Sequence, residues 1–224
     1  MKGYLLVGTF SIVARDPETG DFGVAVSTAA PAVGALAPHA APELAAVSTQ
    51  SFVNVNLGRL ALRLVDAGLR IDTALEALLK EDPHRDWRQV IGIDKHTTFA
   101  FSGKSCVEWF GHIEEKDFVV AGNMLAGPQV LEAMVEAYKA NRNVEFPLRL
   151  IKTLKAGEEA GGDKRGKQSA ALLIASTKPR WEYNLRVDDH PNPIDELLRI
   201  YEVTKKKITE FEQQHGELMK IIRL

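Results

Sequence analysis

The chain has 224 residues, 45% of them hydrophobic and 26% charged, and a formal charge of −2 from 28 basic and 30 acidic side chains. That is enough apolar material for one sizeable core. With pI near 6.3 it is too close to neutral for a broad basic face that would hold nucleic acid. The single cysteine, Cys106, excludes an internal disulfide framework and a cysteine-built zinc site. No apolar run reaches the roughly 18 residues needed to span a bilayer, and the opening Met1–Gly8 is too short in its apolar part for a signal peptide. These features lead us to expect a cytoplasmic protein with no nucleic-acid and no membrane partner.

The first half of the chain reads mostly as strands. Tyr4 to Ala14 is rich in Leu, Val, Ile and Phe and runs into the turn residues of Arg15–Asp21, which predict a hairpin loop. Phe22–Thr28 is its second strand, apolar on both faces as expected between two layers. An Ala-, Pro- and Gly-rich loop, Ala29–Pro42, has few large side chains and suits the lining of a pocket. Leu44–Val53 is the third strand.

Leu57, Leu60, Ala61, Leu64 and Val65 then recur at helical spacing, with Gly68 placed as a C-cap. Asp72 is the expected N-cap of a second helix that ends near Pro83. Strands return at Val90–Ile93, Thr97–Phe101, Cys106–Phe110 and Phe118–Ala121. Helices follow at Pro128–Ala140 and Phe146–Ala156. A polar, glycine-rich loop, 160–168, precedes strands at Ser169–Ala175 and Tyr183–Val187. Pro193 opens a long amphipathic helix toward Leu224. This order is no βαβ alternation; it predicts an α+β fold in which antiparallel sheets pack on each other and helices cover the outer faces. Residues 1–192 form the expected main domain and 193–224 a helical extension suited to subunit contact in a homo-oligomer.

Thr9 is the first candidate for chemistry. A threonine with a free α-amine combines a nucleophile with its own base, since an amine of pKa about 8 takes the hydroxyl proton. Freeing that amine requires a cut between Gly8 and Thr9, and a glycine before the nucleophile leaves room for attack on its carbonyl. The plainer reading of Thr9 is a β-branched strand residue.

Residues 9–26, with Ala32-Val33-Gly34, Thr49-Gln50, Gly122-Asn123-Met124-Leu125, residues 160–171 and Leu185–Pro191, resemble in order the motifs of the domain-of-unknown-function 1028 family. The resemblance implies an N-terminal-nucleophile (Ntn) hydrolase fold: a four-layer αββα sandwich with two central antiparallel sheets. It also implies hydrolysis of an amide through an acyl-enzyme on Thr9. Relatives commonly begin Met-Thr, whereas eight residues precede Thr9 here. Relatives also carry a Ser-Lys pair after the second strand, where this chain has Thr28-Ala29. No lysine is therefore supplied at that point to assist the nucleophile.

Beside Thr9, Asn123 is expected to donate to a developing oxyanion, or else to form an Asx-turn or cap. Asp163 is expected to orient Arg165 or an N-terminal amine, and Arg165 to offer a planar fork to a substrate carboxylate. Gln168 and Ser169 open the next strand into the same space, and Gln50 and Asn54 bracket the end of the third strand as substrate-binding candidates. Asp188, Asp189 and His190 carry hard ligand atoms, but the remaining histidines lack metal-ligand spacing. Salt bridges and turn bonds are the expected role of the trio, and neither a metal nor another cofactor is expected. Cys106, in an apolar run, is expected to be a buried, inert thiol. The expectation is an Ntn-type amidohydrolase acting on a small amide or peptide-like molecule. The alternative is a non-catalytic binding or structural protein that keeps the fold and an unprocessed N-terminus.

Overall fold

The computed structural model describes residues 6–176 and 183–222. Among them the strands are β1 (Leu6–Val7), β2 (Thr9–Arg15), β3 (Phe22–Thr28), β4 (Pro38–Ala41) and β5 (Ala45–Phe52). Helices α1 (Val55–Asp66) and α2 (Ile71–Glu81) follow, then β6 (Arg88–Asp94), β7 (Thr98–Ser102), β8 (Gly111–Glu114) and β9 (Phe118–Asn123). The chain closes with α3 (Gln129–Ala140), α4 (Phe146–Glu159), β10 (Ser169–Ala175), β11 (Tyr183–Val187) and α5 (Pro193–Ile222).

The strands form two antiparallel sheets. One has the order β1-β5-β6-β7, with β4 also on β5; the other has the order β11-β10-β3-β2-β9-β8. Side chains alternate between faces along a strand, and this alternation builds the layers. Residues 10 and 12 of β2 point to one side, where they meet Leu131, Met134, Leu150, Leu154, Leu172, Leu197 and Tyr201 from α3, α4, β10 and α5. Val13, on the opposite face, packs with Val24, Ala46, Ile91, Ile93 and Val119 between the sheets. The outer face of the first sheet is covered by Leu57, Ala61, Ile71, Leu75 and Leu79 of α1 and α2. The result is the four-layer αββα sandwich. The first turns of α5 belong to it, because Ile194, Leu197 and Tyr201 are buried in the core beneath them.

Four local expectations need correction. The apolar stretch from Tyr4 is not one strand: β1 and β2 lie in different sheets, with the break at Gly8. The loop 29–42 is partly ordered as β4 and a 3-10 turn at Val33–Ala35, since even small residues can add an edge to β5. Cys106–Phe110 is irregular, and the strand paired with β9 is β8 instead. The N-cap of α2 is Arg70, not Asp72; Asp72 sits in the first turn and accepts a bidentate bond from Arg70. Gly68 does follow α1 with a left-handed φ of 100°.

Candidate active site

The hairpin of β2 and β3 places Thr28 opposite Thr9. On the other side of β2, Asn123 of β9 is opposite Thr9, and Ser169 of β10 is opposite Thr28. Directly paired residues share a face of the sheet. Asn123, Thr9, Thr28 and Ser169 therefore form a polar row across four adjacent strands, and all four are buried. The row faces the other sheet: two positions along β2 from Thr9, the Ser11 hydroxyl donates to Gln50 Oε1 of β5 at 2.7 Å.

The row ends beside an unusual junction. Leu6 and Val7 pair with Phe52 and Ser51 in the first sheet, whereas Thr9 pairs in the second, so Gly8 is the residue at which the chain crosses between them. The Gly8 carbonyl oxygen accepts from the Thr28 hydroxyl and from Arg165 Nη2 at 3.0 Å. Gly8 is also closely enclosed by side chains. A Cβ there would lie 2.5 Å from Arg165 Nη2 and 2.7 Å from Met124 Sδ.

Asp163 holds Arg165 in place. Its carboxylate accepts from Arg165 Nε at 3.1 Å and from Nη2 at 2.6 Å, a bidentate pair with Asp163 almost fully buried. The Arg165 amide bonds the same carboxylate at 2.9 Å. The loop itself is tied to the segment after β9 by a bridge between Asp163 and Leu125 and by the Lys164 amide to the Met124 carbonyl. Gly161 and Gly162 have φ of 120° and 50°, so the exit from α4 into this loop uses backbone conformations that glycine allows freely. Met124 carries a φ of 56° as a non-glycine residue, a conformation that costs energy and that tends to occur near functional sites.

Behind the row lies a polar network between the sheets. Gln89 Oε1 of β6 accepts from Gln50 Nε2 at 2.7 Å and from Asn123 Nδ2 at 3.0 Å. Gln89 Nε2 lies within 3.0 Å of three acceptors, Ser102 Oγ and the carbonyls of Gly111 and Gly122. The network fixes the Asn123 side chain opposite Thr9 and leaves Asn123 Oδ1 buried without a hydrogen-bond partner.

Of the expected site residues, Thr9, Asn123, Asp163 and Arg165 converge on the Gly8–Thr9 peptide. Their roles differ in detail from expectation. Asn123 Nδ2 is committed to Gln89 and not to a vacant oxyanion position. Arg165 holds a main-chain carbonyl and not an external carboxylate. Gln50 belongs to the network behind the row. The Ser169 hydroxyl joins the row but bonds the Ala30 carbonyl and the Val33 amide, so it shapes the loop after β3. Gln168 reaches Asp189 at 3.1 Å. Asn54 caps α1 and donates to Asp82, with none of its bonds directed to Gly8 or Thr9. Asp188 pairs with Arg186, and His190 Nδ1 accepts from the Asn192 amide. Among the described residues no group of three His, Cys, Asp or Glu is placed to hold a metal. Cys106 is buried, and burial pushes its thiol pKa up.

Gln89 was not named by sequence reading, and Thr28 was named only for standing where relatives carry a Ser-Lys pair, not as a site residue. For Thr28 a signal existed: a hairpin with Arg15 opposite Phe22 puts residue 28 opposite residue 9. For Gln89 there was none, because its partners come from both sheets. Two cavities lie away from this row. One of about 550 Å³ is lined by Asp16, Arg142, Phe146 and Arg149, and another of about 320 Å³ shares Asp16 and Arg149. Both sit at the hairpin end of β2, about 20 Å along the strand from Thr9 at the usual rise per residue.

The family model described as a family of unknown function, DUF1028, matches residues 9–197. The chain belongs to this family. The match begins at Thr9, the first residue of β2. A DUF1028 protein from Silicibacter pomeroyi, known from its crystal structure, is 32% identical to this chain. It superposes with a TM-score of 0.81, covering 87% of this chain and 85% of that one. The ancestral beta-subunit Anbu from Yersinia bercovieri is 8% identical with a TM-score of 0.39, over 90% of this chain and 96% of that one. No curated protein matches the sequence. No helix among the described residues is long and apolar enough to cross a membrane.

Proposed function

We propose that this DUF1028 member is an N-terminal-threonine amidohydrolase that frees its own nucleophile by cutting the Gly8–Thr9 bond. One observation carries the reading: the carbonyl of the residue before Thr9 is gripped by a hydroxyl and a guanidinium. Donors aimed at a carbonyl oxygen draw charge from its carbon and stabilise the oxyanion formed on attack, which is the largest single contribution in many acyl transfers. An ordinary strand junction has no need of an arginine, anchored by a buried carboxylate, on one peptide oxygen.

The Thr9 hydroxyl oxygen bonds to the Gly8 carbonyl carbon, the Gly8–Thr9 C–N bond breaks, and the hydroxyl proton ends on the Thr9 nitrogen. Water hydrolyses the resulting ester, releasing residues 1–8 as a carboxylate and leaving Thr9 with a free amine. In turnover the same hydroxyl attacks the amide substrate while the α-amine takes its proton and passes it to the leaving amine. A second water then cleaves the acyl-enzyme. Thr28 and Arg165 serve the oxyanion in both reactions, and Asp163 positions Arg165. The partnerless Asn123 Oδ1 supports a role in accepting from the new α-ammonium. Substrates are small amides or peptide-like molecules, and no metal or other cofactor takes part in these steps.

Intact-mass measurement of the purified full-length chain tests the reading. The wild type is expected to lose the mass of residues 1–8, and Thr9→Ala to retain it while keeping its fold. A wild-type chain that stays whole, or that loses Met1 alone, overturns the free-amine mechanism. It would leave the non-catalytic alternative, in which Thr9 is a buried strand residue.

A further inference from the structure

The segment that must leave already occupies the acyl side of the site, and its placement describes what the site accepts. Resting on the amidohydrolase reading above, we infer that the substrate is an extended peptide. Its scissile amide follows a glycine, and the residues before that glycine pair along Ser51 and Phe52 of β5.

Two independent features support this. The first is main-chain pairing. Val7 and Leu6, the two residues before Gly8, run antiparallel to Ser51 and Phe52. The rest of that edge of β5 is covered, because β4 pairs with residues 45–48. Departure of residues 1–8 therefore opens a short edge confined to the end of β5 nearest Thr9. Unpaired main-chain groups on a sheet edge recruit an extended peptide. Arg88 helps hold this end of β5, since its Nη1 donates to the Phe52 carbonyl at 2.6 Å while Asp82 anchors the guanidinium in a buried pair.

The second feature is the space at Gly8. The three atoms that a Cβ would strike, Arg165 Nη2 and Cζ and Met124 Sδ, lie near the ends of flexible side chains, which can shift. Arg165, however, cannot yield without loosening the bonds that hold it to Asp163 and to the Gly8 carbonyl. Any side chain on the residue that donates the carbonyl thus displaces the group that polarises it. The cost falls on the reaction more than on binding, so it should appear in kcat. The acylation balances as before: the glycyl carbonyl carbon gains the Thr9 oxygen, the peptide C–N bond breaks, and the leaving amine carries away the proton held by the α-amine.

Two arms test the proposal. In the first, the full-length Gly8→Ala chain is compared with wild type by intact-mass time course. The expected result is release of the leader slowed at least tenfold, with unchanged circular dichroism. In the second, the self-processed wild-type protein is given acetyl-Leu-Val-Gly and acetyl-Leu-Val-Ala amides of 7-amino-4-methylcoumarin. The glycyl peptide is expected to turn over at least tenfold faster, with the difference in kcat, and acetyl-Gly amide to react more slowly for want of strand pairing. Equal rates for the glycyl and alanyl peptides, or wild-type processing of Gly8→Ala, overturn the inference while leaving the Thr9 reading intact. A wild-type chain that never processes removes both.

Discussion

The Thr28 hydroxyl donates to the carbonyl oxygen of Gly8, and Thr28 is at the same time the cross-strand partner of Thr9. One side chain of β3 thus reaches past the threonine opposite it to the carbonyl just before that residue. The bond comes from sheet register, so it is present whatever the loops around it do.

Replacing Thr28 with valine keeps the shape and β-propensity of the side chain and deletes the donor. Loss of one oxyanion donor typically costs about 10²–10³ in rate. Thr28→Val is therefore expected to release residues 1–8 about a hundredfold more slowly than wild type, and Thr28→Ser to stay within a few-fold. A time course of intact mass reads both. Equal rates for Thr28→Val and wild type would show that this hydroxyl does not assist the cut.

Gln89 accepts from both Gln50 and Asn123 and can donate two hydrogens among three nearby acceptors. Gln89→Leu would leave the Gln50 and Asn123 amides without that acceptor between the sheets. A buried polar group left unsatisfied costs about 1–3 kcal/mol, and relaxation absorbs part of it where several are affected. The expected loss is about 2–4 kcal/mol, measured by urea unfolding at neutral pH. A change under about 0.5 kcal/mol would mean that the network is already open to water.

His39 of β4 has its pKa lowered from 6.5 to about 4, first by burial and also by the nearby Arg59 charge, against an opposing bond with the Leu36 backbone. The folded state thus takes up the proton later than the unfolded chain as pH falls. Its stabilising contribution is fully present above pH 6.5 and is lost between pH 6.5 and 4. At 1.36 kcal/mol per unit the full loss is on the order of 3 kcal/mol. Urea unfolding at several pH values should show stability falling across this window in wild type and a shallower fall in His39→Gln. Parallel curves for the two proteins would rule His39 out as the source.

Much of the fold was legible because period and turn chemistry are local. β3, β10, β11 and the start of α5 fall where alternation, Gly, Pro and apolar spacing put them. The misses share a cause. β4 is built from Pro38, His39, Ala40 and Ala41, which have no strand signature of their own, and only the edge of β5 makes them a strand. Cys106–Phe110 has the composition of a strand, yet β9 takes β8 as its neighbour on that side. Asp72 is a good capping residue, but α2 begins at Ile71, whose amide donates to Asp94 of β6 at 2.8 Å, so a distant carboxylate serves that end of the helix.

The same division holds at the site. The sequence by itself determined that Thr9 lies on a strand after a glycine and that a hairpin loop leads from that strand into a second one ending at Thr28. Those relations follow from covalent spacing and the two-residue period of a strand. Only the tertiary structure decided what surrounds the Gly8 carbonyl. Arg165, 157 positions away, reaches it because the loop after α4 is bridged to Leu125 and because the chain changes sheets at Gly8. No local pattern records that meeting. It arises where two sheets and a loop pack together, and it converts an apolar stretch at the N-terminus into a polarised peptide bond.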